Sequence, residues 1–120
     1  MANILIVDDA QTDRELLGKV VNSAGHVAIY ATDGDQALAK AKSSAPALIF
    51  LDVVMPGTNG FQTCRTLKQD EQTRPIPIVL VTSKNTPSDK FWAQKQGADA
   101  LIPKPFSPES ILETLRRLVK

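Results

Sequence analysis

The chain has 120 residues, a single cysteine and a formal net charge of +1 from 14 basic and 13 acidic residues. That length sets one domain, large enough to bury a core without disulfides or a structural metal. The balanced charge, with no basic block, gives no electrostatic case for nucleic acid, and no apolar stretch approaches the roughly 20 residues of a membrane span.

The first apolar run, Ile4-Leu5-Ile6-Val7, predicts a strand near 3–8 and ends in Asp8-Asp9. It starts too early and too short for a signal peptide, which needs a basic start and a longer apolar core. Thr12 and Glu15 have capping-box spacing for a helix near 13–24, with Leu17, Val20, Val21 and Ala24 on one face and Gly25 as its stop. His26 follows at the turn into a strand near 27–31. That turn lies at the end of the sheet away from the acidic residues, so a turn role is expected. Asp33 with Gln36 opens a helix near 34–44 in the same manner as Thr12 with Glu15.

Ala47-Leu48-Ile49-Phe50-Leu51 predicts a strand near 47–51 ending in Asp52. Asn59 caps a helix near 60–70, in which Cys64 stands three residues from both Phe61 and Leu67. That is core spacing, and a lone buried thiol suits a reducing cytosol. Ile78-Val79-Leu80-Val81 lies in a strand near 76–82 that ends in Thr82-Ser83. Thr86-Pro87 opens a helix near 87–96. Its adjacent Phe91 and Trp92 point about 100° apart, so one is expected in the core and the other partly exposed. Leu101-Ile102-Pro103 lies in a strand near 99–103 that ends in Lys104-Pro105. Ser107-Pro108 opens a last helix near 108–119, with Ile111, Leu112, Leu115, Leu118 and Val119 facing inward.

Strands alternating with helices give an α/β fold with a parallel sheet covered on both faces. Right-handed crossovers and the flavodoxin-like strand order 2-1-3-4-5 place strands 1 and 3 side by side. Spacing alone does not fix that order; it comes from analogy. Pro103 and Pro105 suit an edge strand, where a missing N–H costs little.

The strand ends carry the chemistry. Three carboxylates, Asp8, Asp9 and Asp52, repel one another in one crevice, and a hard divalent cation such as Mg²⁺ relieves that repulsion while leaving room for phosphate oxygens. A carboxylate also attacks phosphorus to form an acyl phosphate. Asp52 stands alone at the central strand's end and is the candidate nucleophile, with Asp8 and Asp9 as the metal-holding pair. Lys104 adds a positive point charge and Thr82 a hydroxyl. Taken singly, each Asp is a turn or cap residue, Lys104 a solvated lysine and Thr82 a strand-end hydroxyl. Their joint placement at successive strand ends carries the functional reading.

These motifs, Ile6-Val7-Asp8-Asp9, Leu51-Asp52-Val53-Val54-Met55-Pro56 with Gly60, Val81-Thr82-Ser83 and Lys104-Pro105-Phe106, resemble the receiver domains of two-component response regulators. The resemblance spans residues 1–120 as one receiver domain and leaves no room for an effector domain. It implies that Asp52 accepts a phosphoryl group from a histidine kinase. Asp9 would hold Mg²⁺ directly and Asp8 largely through water, with the backbone carbonyl of Val54 completing the protein ligands. Lys104, joined to Pro105 by a cis bond, would contact the phosphoryl group, and Thr82 would move to bond it, remodelling the surface around helix 4, strand 5 and helix 5. The implied protein is a cytoplasmic switch read by an unnamed downstream protein, with no catalysis beyond its own phosphorylation and dephosphorylation. Met55 to Gln62 and Asp89-Lys90-Phe91-Trp92-Ala93 are similar to stand-alone twitching-motility receivers of the PilH type, served by a chemotaxis-like kinase that controls type IV pili. A receiver from another chemosensory (chemotaxis) array would look much the same. An exposed Trp92 would offer such a partner an anchor.

Two places depart from the family pattern. Leu101 stands where many receivers carry an aromatic switch residue three positions before the lysine. Val54 and Lys84 flank the phosphoryl pocket without an acidic or amide side chain, which implies slower self-dephosphorylation than in fast chemotaxis regulators. Two other chemistries fit worse. A phosphatase of the haloacid dehalogenase kind needs a second acid two residues after the nucleophile, where Val54 stands. A flavin carrier needs a neutral phosphate loop where Asp8-Asp9 stand.

Overall fold

The computed structural model describes residues 1–55 and 57–119, with Thr58 by its backbone only. Pro56 of the Leu51 to Pro56 motif and Lys120 at the end of the expected last helix lie outside the described residues. In chain order the elements are β1 (Asn3–Val7), α1 (Gln11–Ser23), β2 (Val27–Ala31), α2 (Gly34–Ser44), β3 (Leu48–Leu51), β4 (Val54–Met55), β5 (Thr58–Asn59), α3 (Gly60–Gln69), β6 (Ile78–Thr82), α4 (Pro87–Lys95), β7 (Ala100–Pro103) and α5 (Pro108–Leu118). The large sheet is parallel, in order β2-β1-β3-β6-β7. Numbered within that sheet alone, the order is the expected 2-1-3-4-5. The antiparallel two-residue ribbon β4–β5, which shifts the later labels, is a feature the hydrophobic pattern did not predict.

Side chains alternate across the pleat, so each central strand feeds two cores. Leu5, Val7, Ile49, Leu51, Ile78 and Leu80 pack on one face against Ala37, Ala41, Cys64, Leu67 and Ala93 of α2, α3 and α4. Ile4, Ile6, Leu48, Phe50, Val79 and Val81 pack on the other against Leu17, Val21, Ile111 and Leu115 of α1 and α5. Every residue of β3 and β6 is buried, which is why these strands read as unbroken apolar runs. Edge strand β2 leaves Val27 and Tyr30 exposed, and Pro103 lies exposed on the other edge strand, β7.

The caps match the sequence at most helices. Asn59 accepts from the Phe61 N–H, Thr86 forms a full capping box with Asp89, and Ser107 accepts from the Ser110 N–H. Asp33 accepts from the Gln36 N–H, while Gln36 returns its bond to the Thr32 N–H, one residue earlier than a capping box requires.

Three expectations are corrected. Helix α1 starts at Gln11 behind Ala10, whose methyl offers no cap, and an Asp8 carboxylate oxygen accepts the Ala10 N–H. Glu15 accepts instead from the Gln11 side chain. Ala24 follows the last turn of α1 and is exposed, although Gly25 with its φ of +86° does end the helix. Phe91 and Trp92 are both exposed, at 55% and 54%. Helix α4 buries only Ala93, with Asp89 half-buried one turn before it, which leaves both rings off that face. They meet edge to face at 6.3 Å, with the Lys95 ammonium 5.3 Å from the Phe91 ring centre.

Cys64 is fully buried, and burial pushes its thiol up to about 11, so it is an inert core residue. His26 is half-buried at the start of β2 and accepts the Ala2 N–H on Nδ1 at 3.1 Å, a local tie far from the acidic strand ends. Among the described residues no helix is long and apolar enough to cross a membrane.

Candidate functional site

The parallel ladder delivers the carboxylates. Val7 stands opposite Leu51, the Asp52 N–H donates to the Val7 carbonyl at 2.9 Å, and the Asp8 N–H donates to the Ala31 carbonyl at 3.1 Å. The residues after β1 and β3 therefore leave the sheet together, at the carboxyl ends where open α/β sheets build their sites. Asp8 and Asp52 are buried, at 4% and 7% exposure, and Asp9 is open to solvent. Asp8, Asp9 and Asp52 each place a carboxylate oxygen within 4.8 Å of the other two. An all-oxygen set with that spacing suits a hard divalent cation.

Lys104 reaches this cluster from the end of β7. Its Nζ lies 2.7 Å from Asp8, 2.8 Å from Asp13 and 3.2 Å from Asp52. Burial works against the ammonium charge, but the bonds to Asp13 and Asp8 and the field of Asp52 outweigh it and hold the Lys104 pKa above its ordinary value. Burial raises the pKa of Asp8, and the Lys104 and Ala10 hydrogen bonds only partly offset that rise. An Asp8 still poorly compensated beside Lys104 is what an acidic pocket short of positive charge should contain.

The remaining site residues are positioned by backbone. The Lys104 N–H donates to the Thr82 carbonyl at 2.9 Å, and the Lys104–Pro105 peptide is cis. Thr82 is fully buried, and its hydroxyl accepts the Lys84 N–H at 3.1 Å. The Val54 N–H donates to the Asp52 carboxylate at 3.2 Å, while the Val54 side chain is half exposed. Lys84 is exposed. A Cβ on Gly60 would fall 2.3 Å from the Asp52 carbonyl oxygen and 2.5 Å from the Val53 Cα, so only glycine lets α3 approach this loop. Leu101 is half-buried, pairs in register with Leu80 and packs on the core beneath α4. Trp92 is remote from the carboxylates; it lines a surface cavity of about 640 Å³ between α3 and α4, together with Phe61, Gln62, Arg65 and Gln96.

The structure thus brings together Asp8, Asp9, Asp52 and Lys104, and ties Thr82 to them through the backbone. It adds Asp13, in the first turn of α1, which the sequence reading missed. A third carboxylate in the first helical turn after Asp8-Asp9 was the available signal. It lost its meaning because the helix was expected to begin at Asp13 itself.

Residues 4–116 match the family described as the response regulator receiver domain. The chain is 39% identical over 119 residues to Protein PilH of Pseudomonas aeruginosa, across 99% of this chain and 98% of that one. It is 38% identical to the phosphate regulon transcriptional regulatory protein PhoB of the same organism, over 98% of this chain but only 51% of PhoB. The structure of the Vibrio cholerae chemotaxis protein CheY4 superposes with a TM-score of 0.92 over 98% of each chain, at 35% identity.

Proposed function

The chain belongs to the response regulator receiver family of phosphorelay signalling, and from that premise we propose that it is a switch whose Asp52 accepts a phosphoryl group from a histidine kinase. The observation that carries this reading is the convergence at the strand ends: a buried Asp52, two further carboxylates within 4.8 Å, and the Lys104 ammonium at 3.2 Å.

An Asp52 carboxylate oxygen attacks the phosphorus of phosphohistidine. The P–O bond forms, the P–N bond breaks, and the imidazole leaves as a neutral ring once protonated. The work of the pocket is positioning and charge neutralisation. Asp8, Asp9, Asp52 and the Val54 carbonyl are the ligands assigned to Mg²⁺, a donor set of the right chemistry for that ion. When bound, the cation neutralises charge on the transferred phosphoryl oxygens. Lys104 donates to a second phosphoryl oxygen, and Thr82 exchanges the Lys84 N–H for a third. Because the Thr82 carbonyl holds the Lys104 N–H, movement of Thr82 is felt on both β6 and β7. Leu101, between β6 and α4, is the apolar counterpart of the family's aromatic switch residue. Asp52 phosphorylation thus biases a two-state surface, and Trp92 is the candidate contact for a downstream protein.

Similarity to PilH over nearly the full length of both chains supports service to a chemotaxis-like kinase, in type IV pilus twitching motility or another chemosensory pathway of the cytoplasm. Val54 has no side chain to hydrogen-bond an attacking water, and Lys84 reverses the charge of the acidic residue found in fast chemotaxis regulators, so a phosphoryl lifetime of minutes or longer is expected. A lifetime of seconds without a phosphatase would contradict that part. Phosphotransfer from a purified chemotaxis-type histidine kinase tests the whole reading. Label should pass to the wild type and not to Asp52→Asn, and label retained by Asp52→Asn would overturn it.

A further inference from the structure

We propose that Asp13 is a positioning residue for Lys104, dividing the lysine between the cation-binding and the phosphoryl-accepting states of the pocket. The inference rests on the reading of Asp52 as the phosphoryl acceptor. A lysine ammonium has three N–H donors. Here three carboxylates, those of Asp8, Asp13 and Asp52, lie within 2.7–3.2 Å of it, so every donor is engaged. A phosphoryl oxygen gains Lys104 only by displacing one of them.

Asp13 is the partner most easily displaced without loss to the cation cluster. Asp8 and Asp52 belong to that cluster, and Asp13 does not. Its side chain is 35% exposed, against 6% and 9% for the other two, so water replaces Lys104 at little cost. It makes no capping bond for α1, and Lys104 is its one side-chain partner among the described residues. Yet its contact is shorter than that of Asp52, 2.8 against 3.2 Å, so in the resting pocket it draws the ammonium toward α1.

The two consequences have opposite signs. The Asp13 charge cancels part of the Lys104 charge and so strengthens cation binding. The same charge and the same tether withhold Lys104 from an incoming phosphoryl dianion and so slow phosphorylation of Asp52.

The test uses Asp13→Asn and Asp13→Glu, with Mg²⁺ affinity measured by calorimetry and the rate of Asp52 phosphorylation measured with a small acyl phosphate at saturating Mg²⁺. Asp13→Asn should bind Mg²⁺ about 3- to 10-fold more weakly and yet become phosphorylated faster by a similar factor, the size expected for one unit charge at this range in a partly wet site. Asp13→Glu should return both values toward wild type. No change in either measurement overturns the inference. So does a parallel fall in both, the mark of a general structural fault. A wild type that takes no label on Asp52 removes the underlying reading, whereas a wild type that labels beside an unchanged Asp13→Asn removes only this inference.

Discussion

Around Lys104 three carboxylates crowd one nitrogen within 2.7–3.2 Å and Gly60 presses on the backbone of Asp52, whereas α4 buries only Ala93 and leaves both of its aromatic rings in solvent. The pocket is fixed by contacts between residues 52 to 96 positions apart in the chain. Helix α4 is fixed at its start by a capping box that spans three residues. Long-range charge pairs make the pocket a preorganised site, and little burial makes α4 an element whose position changes at small cost. A receiver needs both: a rigid place to accept charge and a weakly held place to report it.

The largest effect expected from this contrast is at Lys104. In Lys104→Ala the carboxylates of Asp8, Asp13 and Asp52 lose their shared cation, and unfolding in denaturant should show a loss of roughly 3–5 kcal/mol without divalent cation. Added Mg²⁺ should recover much of it. A loss below about 1 kcal/mol would mean that the pocket is not held by charge.

Gly60→Ala should cost about 3 kcal/mol, because the new methyl meets backbone that does not yield. Gly18→Ala has a nominally worse clash, 2.1 Å from the Tyr30 hydroxyl, yet that ring lies on an exposed edge and swings away, so about 1 kcal/mol or less is expected. Equal costs for the two would undo the argument that the pocket loop is the stiffer region.

Cys64 links α3 to α4, since it lies on the buried face of α3 and its thiol donates to the Gln96 carbonyl at the end of α4. Its folded pKa is raised to about 11, so the folded state keeps the proton after the unfolded thiol has lost it near 9. Stability from this source is complete below the unfolded value and is lost as pH rises through the folded one. The loss is on the order of 2 kcal/mol between pH 9 and 11. Denaturation profiles across that window should slope downward, and Cys64→Ala should flatten them.

Thr86→Ala removes the cap of α4 and should cost about 1 kcal/mol. Amide exchange should show that loss concentrated in 87–95 rather than spread to the strands. A uniform loss would show α4 to be as firmly coupled as the pocket.

Much of this is readable in the sequence. Asp8, Asp52, Thr82 and Lys104 were legible because each terminates an apolar run, and a parallel sheet turns strand ends into neighbours. Asn59, Thr86 and Ser107 were legible because capping is local. What escaped depended on side chains acting at a distance. Asp8 supplies the start of α1 that Thr12 and Glu15 seemed to offer, and that shift hid Asp13. The ribbon of Val54–Met55 and Thr58–Asn59 is held by pairing across a short loop, with too few residues for a periodic signal. The angle of about 100° between Phe91 and Trp92 suggests one ring in the core, yet α4 buries only the small Ala93.

The most direct measurement is the intact mass of the protein after incubation with a small acyl phosphate, with and without Mg²⁺, for wild type and Asp52→Asn. The account predicts one added phosphoryl group, on the wild type and only with Mg²⁺. A phosphoryl group on Asp52→Asn, or equal addition to the wild type when Mg²⁺ is withheld, would contradict it.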